Sequence, residues 1–257
     1  MRSLGFDVVV AGAPQADLFA LDVCISVALA LALPLARWSA GARQGEALAD
    51  RRRATAWTGL GMLAWLGLTA GLGLSGVLDH WGEMPPRALP VLLGSTLVVL
   101  ALWRSSFGRR LAEGLPLWLL VGYQAFRIPV EIMLHRAYEQ GVIGVQMTWS
   151  GRNFDVVTGV LALALGLWLW RRGEDRPPPR ALVWAWNLLG LGLLINIVTL
   201  AILSMPTPMR TFEGPPNTFI ATFPYIWLPT VMVMAALFGH LLVARRLLAS
   251  AGKPARD

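Results

Sequence analysis

Residues 115–135 read LPLWLLVGYQAFRIPVEIMLH. The stretch is apolar and long enough to cross a bilayer, whose hydrocarbon core takes about 20 helical residues. Yet it carries Gln124, Arg127, Glu131 and His135 at steps of three, four and four, the spacing of one helical face. Ionisable groups at membrane depth are costly, and they normally face a protein interior or a watery cavity. The segment therefore predicts a membrane-spanning helix with a polar site on one side. Pro129 lies between Arg127 and Glu131, removes a helix hydrogen bond and allows a kink. Arg127 and Glu131, one turn apart, are placed to pair directly. The stripe then has two readings: a neutralised pair clamping neighbouring helices, or the lining of an outward-opening cavity.

Of the 257 residues, 56% are hydrophobic and 14% are charged. Soluble domains carry about a quarter charged residues, so the composition predicts an all-α, polytopic transmembrane helical bundle. Apolar windows recur at 17–38, 55–78, 88–103, 114–135, 154–170, 181–204 and 223–247. They predict about seven helices, with six or eight as alternatives, in one membrane domain over 1–257 with no soluble domain. The window at 88–103 is short unless Arg87 and Pro90 sit at the interface.

Basic residues alternate along the chain. Arg37, Arg43 and Arg51–Arg53 follow the first helix, Arg104, Arg109 and Arg110 the third, and Arg171, Arg172, Arg176 and Arg180 the fifth; Arg245, Arg246, Lys253 and Arg256 form the tail. Few lie on the opposite side, where Arg2, Arg87, Arg136, Arg152 and Arg210 fall. The positive-inside rule puts the N-terminus outside and the C-terminus in the cytoplasm. The net charge of +7 needs no nucleic-acid partner; it sets topology and attracts anionic lipid headgroups. Met1–Ala16 is too short in apolar length for a cleaved signal peptide, so the first helix is expected to stay as an anchor. Cys24 is the only cysteine, which excludes an internal disulfide.

The connection at 39–53 is the longest on the basic side, and Pro177–Pro179 stiffens the one at 171–180. On the other side, Pro206, Pro208, Pro215 and Pro216 keep 205–222 from forming a long helix and suggest a structured cap. The stretch GVIGVQMTWSG at 141–151 suggests a short hairpin or re-entrant piece. In the second helix Gly67 and Gly71 form a small-xxx-small pair, read first as packing within the chain and second as a dimerisation face.

More polar residues gather at the depth of the stripe. Arg152, Asn153 and Asp155 open the fifth helix, Asp22 lies one turn into the first, and Asn196, Thr199 and Ser204 occupy the outer half of the sixth, with Asn187 deeper. Together they suggest a site reached from outside rather than a complete aqueous pore. Read alone, Asn153 is equally an N-cap and Asp155 a favourable charge at a helix start. His240 reads as an interfacial or packing residue. A metal site would have to combine His135, with or without His80, with Glu131 or Asp155, and no dense ligand spacing supports one. The absence of a lysine in the last helix excludes a retinal Schiff base. A G-x-S-G match at Gly73–Gly76 arises easily by chance in a glycine-rich helix, and His240, the only histidine in a late helix, lies near the opposite face from Ser75, which argues against the serine-protease reading.

The segments QAFRIPVEIMLH (124–135), VQMTWSGRNFD (145–155) and PPNTFIATFPYIWLP (215–229) resemble those of an uncharacterised family of bacterial polytopic membrane proteins. The resemblance covers most of 115–247. It implies a bacterial cytoplasmic membrane and no particular reaction or cofactor. Three functions compete. The first is binding or transport of an ion, proton or small polar ligand through Gln124, Arg127, Glu131, His135, Arg152, Asn153, Asp155 and Asn196. In it Glu131 accepts a proton or cation, Arg127 is the counter-charge and His135 a relay. The second is a non-enzymatic subunit of a larger membrane complex, and the third a lipid-modifying enzyme using Glu131, His135 and Asp155 as acid–base groups.

Overall fold

A computed structural model describes residues 12–251, which contain helices and turns and no strand. Arg2, Lys253, Arg256 and most of Met1–Ala16 lie outside the described residues. The helices are α1 (Ala16–Arg43), α2 (Leu48–Leu74), α3 (Ala88–Arg104), α4 (Ser106–Gly114), α5 (Leu117–Gly122), α6 (Arg127–Glu139), α7 (Asp155–Arg172), α8 (Arg180–Leu203) and α9 (Val233–Ala251). A three-ten turn, Tyr123–Phe126, joins α5 to α6, and a π-helical turn, Leu228–Met232, leads into α9.

Among the described residues five runs are long and apolar enough to cross a membrane: Ala16–Arg43, Leu48–Leu74, Leu117–Glu139, Arg180–Leu203 and Leu228–Ala249. A sixth is made only by α3 and α4 together, bent by 65°. The 18 residues of α7 include Asp155, Arg171 and Arg172, which shortens its apolar part.

Several boundaries move from those expected, for local reasons. Arginine is a good helix former, so Arg43 stays in α1 and Arg51–Arg53 are helical in α2; the expected 39–53 connection shrinks to 44–47. Amphipathic α4 was not foreseen. Ser105 caps it, its Oγ accepting from the N–H of Phe107 at 3.2 Å and of Gly108 at 3.5 Å, and Pro116 separates it from α5. The expected hairpin at 141–151 is absent. Its backbone groups are spent on local turns, such as Met147 N–H to Gly144 O at 3.1 Å and Arg152 N–H to Gln146 O at 3.2 Å, leaving no ladder. Segment 205–222 is irregular but anchored: Asn217 donates to Ala201 O at 3.1 Å, and Arg210 to the carbonyls of Phe212 and Gly214.

Glycine packing corrects one expectation. Gly59, Gly61, Gly67 and Gly71 of α2 face open space, so the Gly67–Gly71 pair does not pack within the chain. The close approaches lie elsewhere. A Cβ on Gly166 of α7 would stand 2.6 Å from Gly122 Cα of α5, and one on Gly159 would stand 2.9 Å from Ile128 Cγ1 of α6. These two glycines let α7 lie against α5 and α6, and the fit positions the site.

The basic end of the bundle is tied by Glu46, between α1 and α2. It accepts from Arg37 at 2.8 and 3.0 Å and pairs with Arg110 of α4. Burial pushes the Glu46 carboxyl up, but the two guanidiniums outweigh it and hold it below the usual carboxylate range. A depressed folded value stabilises above the unfolded pKa and is lost as pH falls through the folded one.

Two outcomes follow, both read from melting in one detergent. Gly166→Ala should destabilise by roughly 1–3 kcal/mol through overpacking, whereas Gly71→Ala should be neutral or raise stability by up to about 1 kcal/mol. Glu46→Gln should melt lower than wild type at neutral pH, with the gap closing as pH drops below about 4. A gap independent of pH would remove the ion-pair explanation.

Candidate intramembrane ligand site

The break between α5 and α6 decides which side chains meet. In the three-ten turn Tyr123–Phe126 the chain advances by ~120° per residue instead of ~100°, so Gln124 leaves the phase of the stripe. Its Nε2 donates to Ala236 O of α9 at 2.9 Å, while Arg127 and Glu131 face α7. Arg127 begins α6, so Pro129 falls in the first turn, where a missing N–H is tolerated. The regular helix is interrupted at 123–126 rather than at the proline.

The predicted Arg127–Glu131 pair does not form. Arg127 donates through Nη1 to Asp155 Oδ1 at 2.5 Å and more weakly to Gly190 O at 3.4 Å. Asp155 opens α7, a position that favours negative charge, and also accepts from Thr158 Oγ1 at 3.2 Å. Its backbone N–H donates to Asn153 Oδ1 at 3.1 Å, so Asn153 serves partly as the helix-start acceptor. The Asn153 amide nitrogen stands 2.8 Å from both Glu131 oxygens and 3.1 Å from Met147 O. A carboxylate offers about four acceptor sites, and Asn153 takes at most two, so Glu131 keeps hydrogen-bonding capacity in hand.

Arg127 is 2% exposed and Glu131 1%. The Nε and Nη2 of Arg127 have no acceptor. Buried donors of that kind are uncommon and costly. Arg127, Glu131 and Asp155 form part of the wall of a cavity of about 340 Å³ bounded by α3, α6, α8, α9 and the π turn. The remaining wall is largely apolar, including Leu134, Ile197 and Met232. Leu93 of α3 and Ile195 of α8 line it yet stay exposed, so its mouth lies between those helices.

Of the eight predicted residues, Arg127, Glu131, Asn153 and Asp155 come together. Gln124 is buried beside them but turned to α9. His135 stands apart: its ring stacks on Trp149 at 4.3 Å between centroids, and Nε2 is 3.8 Å from Glu139. Arg152 lies over the Phe212 ring, and its backbone carbonyl accepts from Asn196 at 2.9 Å, away from the carboxyl groups. Asp22 is buried on α1 with both carboxyl oxygens unpartnered and does not line this cavity. Among the described residues no three His, Cys, Asp or Glu side chains gather as a metal site.

The structure adds Tyr123, whose hydroxyl donates to Ala235 O at 2.6 Å, Thr158, and an Asn187–His240 pair at 2.9 Å. His240, expected at an interface or in packing, is fully buried in this polar cluster, with Trp186 alongside. A signal existed: an Asn and a His within apolar helices both need partners where lipid supplies none.

The geometry separates the two carboxyl groups by role. Asp155→Asn should destabilise by about 3–5 kcal/mol, because it leaves the Arg127 charge buried and unpaired. Glu131→Gln should cost clearly less. The double variant Arg127→Met/Asp155→Leu should recover part of the Asp155→Asn loss; equal losses for Asp155→Asn and Glu131→Gln would contradict the pairing.

No curated protein and no solved structure matches the chain. Residues 86–248, which hold α3 to most of α9 and every residue of the polar site, match the model of the family described as a domain of unknown function, DUF8737. The match takes in more than half of the sequence, and the chain belongs to that family.

Proposed function

We propose that this is an integral membrane protein that holds an amphipathic molecule inside the bilayer, its polar head at Arg127 and Glu131 and its apolar body along α3 and α8. The carrying observation is that Arg127, two of whose nitrogens have no acceptor, belongs to the wall of an otherwise apolar cavity. A head group that accepts from Arg127 and donates to Glu131, as a hydroxyl does, completes both. The cavity volume lies at the low end of ligand pockets, about 300–1,000 Å³. A mouth facing sideways between two helices suits a ligand arriving from lipid. This narrows the small polar ligand inferred from sequence: the walls require an apolar remainder. Counting α7 and the bent α3–α4 pair as crossings gives seven spans, with the N-terminus outside and the arginine-rich end in the cytoplasm of a bacterial inner membrane.

A second reading, a subunit of a larger complex, is favoured by α2. Only Thr69 and Gly73 of that helix are buried, and its other glycines face outward, the composition of surfaces that meet another helix.

A long-chain primary alcohol and the matching alkane, added to the purified protein, test the ligand reading by melting. The alcohol should raise the melting temperature more than the alkane, and Ala201→Phe, which fills the cavity, should remove the difference. Equal shifts, or a full shift in Ala201→Phe, would rule out this site.

A further inference from the structure

A second cavity, of about 470 Å³, lies at the basic end of the bundle, remote in sequence and lining from the first. The end of α4, the start of α5, the ends of α7 and α9 and the segment 173–179 enclose it. Gly173, at φ +82°, turns the chain out of α7 to form one side. Its lining carries Arg172, Arg176 and Arg246 together with Leu117, Trp118 and Leu169. Guanidinium groups and apolar side chains lining one cavity are the complement of a phosphate joined to hydrocarbon.

The arginines are only partly occupied. Arg246 uses Nη1 on the carbonyls of Glu113 and Ala112, at 2.6 and 3.3 Å, and so closes the end of α4. Arg172 donates from Nη2 to Pro177 O at 3.3 Å and lies over the Trp168 ring, but its Nε is buried without an acceptor. Arg176 makes no hydrogen bond or ion pair among the described residues. Two carboxylates also line the cavity; Glu174 is already paired with Arg43, which leaves Glu113 against three guanidiniums. Helix capping accounts for Arg246; it leaves the buried Arg172 Nε without an acceptor and the exposed Arg176 free to reach a ligand.

We propose that this cavity binds the phosphate headgroup of an anionic membrane lipid, Arg172 and Arg176 contacting the phosphate and Leu117, Trp118 and Leu169 the first part of the acyl chains. Arginine forks match phosphate oxygens in pairs. The cavity sits at helix ends, the level at which headgroups and basic pockets meet. The inference does not depend on the ligand proposed for the first cavity.

The test uses the full chain in a neutral detergent, with melting followed on adding short-chain phosphatidylglycerol, phosphatidylcholine of the same chains, or inorganic phosphate. Phosphatidylglycerol should raise the melting temperature by several degrees, the other two should not, and added salt should shrink the shift. Arg176→Gln and Arg172→Gln/Arg176→Gln, each compared with its own lipid-free value, should lose most of it. Equal shifts with both lipids would mean apolar contact alone, and a full shift with inorganic phosphate would mean a soluble-anion site; either overturns the proposal. A shift retained in the double variant does so too. If Arg172→Gln fails to fold, Arg176→Gln, in an exposed segment, decides alone.

Discussion

A single ion pair, Arg127 to Asp155, joins the start of α6 to the start of α7, and the polar interior is arranged around it. Neither charge has water as a ready alternative, so each fixes the position of the other. The pair depends on backbone proximity. A Cβ on Gly159 would lie 3.3 Å from Arg127 Cβ, and Gly166 meets Gly122 backbone to backbone one level further along. Small residues on α7 thus allow the approach, and the ion pair sets its register. A buried pair is weak evidence of net stability. Its retention here is better understood through what it organises: Asn153 held by both Asp155 N–H and Glu131, and three Arg127 N–H groups left for something else.

The two cavities divide the molecule in a consistent way. One lies among the apolar residues packed around Val130, Ile197 and Met232, with Arg127, Glu131 and Asp155 in its wall. The other lies where helix ends gather and where Arg180, Arg245 and Arg246 already serve backbone carbonyls. The Glu46 clamp ties the same end through α1 and α4, so the basic face rests on a fixed frame.

Much of this was legible in the sequence, and the limits have physical causes. Arg127 and Glu131 stood out because charge within an apolar helix is costly wherever it sits, so their burial needed no tertiary information. Their partners were not readable. Pairing Arg127 with Asp155 instead of Glu131 rests on the three-ten turn at 123–126 and on where α7 docks, and periodicity carries neither. Gln124 was assigned to the stripe on ideal helical phase and left it for the same reason. On α2, Gly67 and Gly71 fit a packing motif, yet whether a small-residue face meets a neighbour depends on the neighbour. Gly159, Gly166 and Gly190 do meet one and had no comparable spacing. His240 and Asn187 lie on separate helices, and only the fold shows that they pair.

The most direct measurement is an experimental structure of the protein extracted from its own membrane, resolved well enough to show side chains. Density in the cavity between α3 and α8, within hydrogen-bonding distance of both Arg127 and Glu131, is the expected result. An empty cavity closed by α3 against α8, or Arg127 paired with Glu131 in place of Asp155, would contradict it.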